Sequence, residues 1–114
     1  MKKKFGTAII WIIGIILFLS SFAKLIGPQQ AIDTFTTWQL LDYLVIIGII
    51  ELLVGILLLV PYTRKFGAFL VFAYFGGAIV THLIAQEIIP ALFPAGLLVI
   101  FSFGLFLRYP KVFF

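Results

Sequence analysis

The sequence contains no cysteine. Disulfides, thiolate metal sites and dithiol redox chemistry are excluded together, so the chain cannot itself be a thiol oxidoreductase. Any redox role would use a partner's cofactor. Charge is scarce too: 11% of residues are Asp, Glu, Lys or Arg, with four acids and a single histidine. One His and one Glu within the apolar runs do not complete a tetrahedral set, and no metal site is expected. Phosphate loops and nucleophile triads are also missing, so the chain is not expected to be an enzyme by itself, and no catalytic residue is assigned.

What the sequence has in excess is hydrocarbon. Its 114 residues are 64% hydrophobic, with a mean hydropathy of +1.29, well above the roughly half-apolar make-up of soluble domains. The length suits one unit, read as a single transmembrane domain over residues 1–114. A net charge of +4 is compatible with nucleic acid, but the basic residues sit at the ends of apolar runs and form no basic face. No nucleic-acid partner is expected.

Four runs, residues 5–26, 43–60, 66–86 and 91–107, approach the ~20 residues that an α-helix needs to cross a hydrocarbon core about 30 Å thick. Only the first connection, "GPQQAIDTFTTWQLLD", is long. Gly27 can end a helix in a left-handed conformation and Pro28 can start the next. Ile32, Phe35 and Trp38 recur at helical spacing there, which predicts a short amphipathic helix at the outer interface. "PYTRK" and "EIIP" are short links and make sequential spans antiparallel neighbours. The expected fold is an all-α integral membrane protein, an antiparallel bundle of four transmembrane helices with one short outer interfacial helix. "KKK" and "SFA" around the first run imitate a secretory signal, but the run's length and the later spans favour an integral helix.

If the amino terminus is cytoplasmic, Lys2, Lys3, Lys4, Arg64, Lys65, Arg108 and Lys111 share one side and Lys24 alone falls on the other. That bias places both termini in the cytoplasm, with Arg64 and Lys65 as topology residues. Asp33, Asp42 and Glu87 then lie outside as solvated rim charges, and Trp38 and Tyr43 belong to the outer aromatic belt.

Three ionisable residues fall within or near the apolar runs: Lys24, Glu51 and His82. An acid at a helix centre costs roughly 2.5–3.5 kcal/mol on insertion scales, so such residues usually face the bundle interior and mark a function. At about 1.5 Å per residue, Glu51 lies ~12 Å below Tyr43, His82 ~6 Å below Gln86 and Lys24 ~3 Å below Ile26. One polar pocket opening outward is feasible. Glu51 reads as a ligand-binding or proton-exchanging carboxylate, or as an acid that fixes helix register. For His82, a ligand or relay role stands beside a local hydrogen bond. Lys24 is expected to snorkel at the rim, with pairing to Glu51 as the sharper alternative. Gly48 and Gly55 flank Glu51 on its helical face, and Gly77 and Ala78 accompany His82; all four are expected to serve helix packing. Pro94 falls in about the first turn of the fourth run, where it is tolerated or produces a bend.

The segments "SFAKLIGP" and "GIIELLVGILLLVPYTRKFGAFLVFAYFGGAIVTHL" resemble the DoxX-like family of small bacterial membrane proteins. The resemblance spans Phe5 to about Phe106 and points to Lys24, Glu51, Gly55, Arg64 and His82. It implies a four-helix protein of the bacterial inner membrane. Members are linked to quinone-connected oxidation of sulfur compounds and to membrane oxidoreductase assemblies; relatives of the methylamine-utilisation type are tied to disulfide chemistry, which a chain without Cys cannot share. Three functions are therefore weighed. The first is a partner-dependent bundle that binds an apolar ligand, a quinone or a lipid, at Glu51 and His82. The second is an assembly subunit docking a membrane oxidoreductase, and the third a small proton-coupled carrier, which with four short spans would need a homo-oligomer.

Overall fold

The computed structural model describes residues 1–112. It contains five α-helices: α1 (Lys2–Leu25), α2 (Gln29–Thr37), α3 (Leu44–Leu59), α4 (Arg64–Ile84) and α5 (Ile88–Arg108). Short 3₁₀ turns precede α3 and α4 and follow α5. Among the described residues there is no strand. With their adjoining 3₁₀ turns, α1, α3, α4 and α5 supply four segments long and apolar enough to cross a membrane. The third begins earlier than expected, at the Pro61 turn, and α5 starts at Ile88. Pro94 therefore lies inside α5 rather than in its first turn, where it denies the Pro90 carbonyl an intrahelical donor.

The boundaries have local causes. Gly27 ends α1 at φ 73°, a left-handed conformation without penalty for glycine. Both α2 and α4 close with a left-handed residue that is not glycine, Gln39 at φ 61° and Gln86 at φ 60°. In each case two reversed amide bonds seal the end: Leu40 N–H to the Phe35 carbonyl at 2.8 Å and Gln39 N–H to Thr36 at 3.0 Å, then Glu87 N–H to His82 at 2.8 Å and Gln86 N–H to Leu83 at 3.0 Å. This is the Schellman pairing that satisfies orphan carbonyls at a helix end.

Helix α1 packs on α3 and α5, and α4 packs on the same two. The core is gathered in one half of the bundle, where Ile10, Ile13 and Leu17 meet Val54, Leu58, Val71, Phe101 and Leu105, all nearly inaccessible. In lipid such burial gains little from the hydrophobic effect, because the surrounding tails are equally apolar, so close van der Waals packing must hold the helices. Small residues make that approach possible. A Cβ at Gly6 would stand 2.5 Å from the Gly104 carbonyl of α5, and one at Gly67 would stand 2.8 Å from the Leu58 amide of α3. Gly55 faces the α1 backbone at 3.2 Å and Gly48 meets Leu25 and Lys24. Toward the other end this tight packing stops. Gly77, expected to pack, would carry a Cβ that meets nothing within 4 Å; α4 has parted from its neighbours there. Outward faces carry Phe66, Phe69, Leu92, Val99 and Phe103, all exposed, the composition that lipid requires.

Candidate functional site

The open end of the bundle contains the polar residues. On α1, Ser20 and Lys24 are one turn apart, so the Lys24 stem runs beside the serine. Its Nζ donates to Ser20 Oγ at 3.0 Å and to Glu51 Oε1 at 2.7 Å. Glu51 comes from α3, three residues beyond Gly48, whose missing side chain lets α3 lie against the Lys24 Cβ region. The carboxylate is buried at 3% exposure, while the Lys24 side chain keeps 18%. From α4, Tyr74 lines the same cavity as Glu51. The snorkelling expectation for Lys24 is corrected accordingly: an ion pair links α1 to α3, because Glu51 is close enough to repay turning the ammonium inward.

His82 does not join this pair. Its Nδ1 lies 2.9 Å from Glu87 Oε1, and Trp38 Nε1 donates to the same oxygen at 2.9 Å. The Trp38 and His82 rings meet edge to face with centroids 5.0 Å apart, and Phe35 stacks next to Trp38 at 5.1 Å. Glu87 was expected as a free rim charge; it is instead the acceptor that fastens the end of α2 to the α4–α5 link. The Trp38 N–H first, and then the His82 imidazole, hold its carboxyl below the usual glutamate range. An ionised carboxylate only accepts, so His82 Nδ1 carries the proton and Nε2 is left unengaged. Lys24 similarly has three donors, two of them used.

Ser20, Lys24 and Glu51 of the first cluster and Trp38 and His82 of the second line one cavity of about 420 Å³, together with apolar side chains that include Leu17, Phe75, Pro94 and Leu97. Its size falls within the common range for small-molecule pockets, roughly 300–1,000 Å³. Gly77 and Ala78 lie on its wall, so the small residues on this stretch of α4 make room rather than contact. Lys24, Glu51 and His82 therefore share a chamber although they do not share hydrogen bonds. Among the described residues no group of His, Cys, Asp or Glu is arranged to hold a metal ion.

The sequence did not reveal the roles of three residues. Trp38 was expected only in the interfacial helix and the outer aromatic belt, and Tyr74, on the same helical row as Ala78 and His82, was given no partner. Arg64, expected as a topology charge, is 3% exposed: its Nε donates to the Leu58 carbonyl at 3.0 Å and its guanidinium to Leu59 at 3.3 Å. With Thr63 bonded to the Leu57 carbonyl at 2.8 Å, it satisfies the orphan acceptors at the end of α3 and places a cation against the negative end of the helix dipole.

A small helical bundle with four segments apolar enough to cross a membrane, and a largely apolar cavity into which several polar side chains reach, defines the class, a multi-pass membrane protein. The model of the DoxX-like family matches residues 8–104, and the chain belongs to that family. Neither a curated protein nor a solved structure matched the sequence.

Proposed function

We propose that the protein is a partner-dependent membrane subunit that holds a small apolar molecule with one polar end, of the quinone or lipid class, in the chamber between Glu51 and His82. The observation that carries this reading is the cavity itself: apolar over most of its wall, with unused polar capacity at Lys24 Nζ and His82 Nε2. Lys24 would donate to an acceptor oxygen of the ligand, and His82 Nε2 would bond its polar end. The Lys24–Glu51 pair sets the charge of the chamber near zero, which suits a neutral guest.

The same reading takes the chain as an antiparallel bundle in a bacterial inner membrane, with both termini cytoplasmic and α2 at the outer interface. Contact order along α1 and α3 supports the antiparallel arrangement, since Gly14 meets Leu59 while Lys24 meets Glu51. The end carrying Lys3, Lys65 and Arg108 supports the orientation.

Native mass spectrometry of the full chain released from mild detergent tests the proposal. Wild type should retain an apolar small molecule. Gly77→Leu, whose Cβ would enter open space on the cavity wall, should lose it, and Glu51→Gln should weaken it. Equal retention by all three proteins, or no retained molecule in wild type, would sink the reading.

A further inference from the structure

The opposite end of the bundle holds a second feature that the chamber does not use. Lys3 at the start of α1, Lys65 at the start of α4, and Arg108, Tyr109 and Lys111 at the end of α5 line a cleft of about 300 Å³. Tyr109 organises it: the Lys65 ammonium lies 5.3 Å and the Arg108 guanidinium 4.7 Å from the ring centroid. Cation–π contact attracts each cation to the ring, yet it brings like charges together and neutralises neither. Lys3 and Arg108 also border an adjoining cleft that adds Lys4 and Thr7.

Among the described residues no side-chain carboxylate lines either cleft. The four side-chain carboxylates of the sequence are Asp33, Asp42, Glu51 and Glu87, and all belong to the other half of the molecule: α2, the turn before α3, the chamber and the α4–α5 link. Four cations thus converge from three helix ends on a concave surface with no side-chain acid to balance them. A general excess of positive charge on one membrane face would be met by scattered, outward-pointing lysines. A shared cleft built around an aromatic ring at the edge of the apolar zone is more selective. It suits an oxyanion with several acceptor oxygens, which a guanidinium fork and ammonium groups engage together. Its height, immediately beyond the apolar faces of α4 and α5, is where a lipid phosphate lies when its acyl chains rest on those faces.

We propose that this cleft binds the phosphate of an anionic membrane lipid, with Lys65 and Arg108 as its principal contacts and Lys3 and Lys111 closing around it. The site depends on the chain being embedded in a membrane and is independent of whatever fills the chamber.

The test uses the full chain in a neutral detergent, titrated separately with dioleoyl phosphatidylglycerol, dioleoyl phosphatidylcholine and inorganic phosphate, with retained lipid read by native mass spectrometry. Wild type should bind phosphatidylglycerol at least about tenfold more tightly than phosphatidylcholine, since each basic residue near an anionic surface contributes roughly fivefold in affinity. Lys65→Gln/Arg108→Gln should erase the preference, whereas the charge-conserving Lys65→Arg/Arg108→Lys should keep most of it. Lys111→Gln, at an exposed position beyond the last α-helix, should lose about fivefold on the same scale and guards against misfolding of the double variant. Inorganic phosphate, lacking acyl chains, should not displace the lipid at equal concentration. The proposal is overturned if all variants keep the wild-type preference, if wild type has none, or if inorganic phosphate competes on equal terms.

Discussion

Replacing Lys24 with methionine deletes the ammonium opposite Glu51 while keeping an unbranched apolar stem. Glu51 is 3% exposed and would lose its 2.7 Å partner, leaving a carboxyl among apolar walls. Removing one member of a buried pair costs roughly 3–5 kcal/mol. Lys24 keeps 18% side-chain exposure and the chamber opens nearby, so solvent screening brings the expected cost below that scale, to about 2–3 kcal/mol. Glu51→Gln should be milder, about 1–2 kcal/mol, because the freed ammonium can swing its flexible stem to the rim while the amide keeps a hydrogen bond. The two changes remove the same interaction. The double variant should therefore cost less than their sum, with a coupling of about 1–2 kcal/mol.

Reversible unfolding in mixed micelles, followed by far-UV circular dichroism as the denaturing detergent is increased, measures all four proteins on one scale. Additivity within about 0.5 kcal/mol would refute the reasoning, since the pair would then not join α1 to α3. So would a Glu51→Gln variant that loses more stability than Lys24→Met.

Gly67→Ala should destabilise by about 1–3 kcal/mol through overpacking against the Leu58 backbone, whereas Gly77→Ala should leave the unfolding midpoint unchanged; a reversed order would contradict the division into packed and open halves. Gln86→Gly should stabilise by up to about 1 kcal/mol, because it relieves a left-handed non-glycine residue; the same micelle assay reads it. Glu87 has a folded pKa below its unfolded value, so its contribution is fully present above the ordinary glutamate range near 4.3 and is lost as pH falls through the lower folded value. Trp38 fluorescence should change in that acid window in wild type and show no such step in Glu87→Gln.

The spans were legible because apolar length is a property of consecutive residues. Glu51 was legible for the complementary reason, as an ionisable group in a run that should exclude it. Its partner was harder. The separation between Lys24 and Glu51 depends on how closely α1 approaches α3, and only packing around Gly48 and Gly55 sets that distance. The Glu87 latch was hidden at a finer level. His82 and Glu87 are five apart, a spacing that does not share a face on a regular helix; they meet because Gln86 reverses the chain. Glycine at that position would have advertised the turn, and glutamine did not. Arg64 was legible as a charge but not as a cap, since its bonds go to carbonyls of the preceding span.

The two halves of the bundle solve opposite problems with the same residue type. Near the chain's basic end, Gly6 and Gly67 face other backbones and bring the helices close enough for dispersion forces to hold them without a hydrophobic driving force. At the other end Gly77 faces open space, and the helices stay associated through polar links, Lys24 to Glu51 and α2 to Glu87. Polar links of this kind contribute from about 0.6 to about 1.7 kcal/mol each within membranes, less than a packed core. They can yield without unfolding the packed half. A guest held as proposed would bond the spare Lys24 donor and His82 Nε2 beside these links, while the packed half holds the four helices in register.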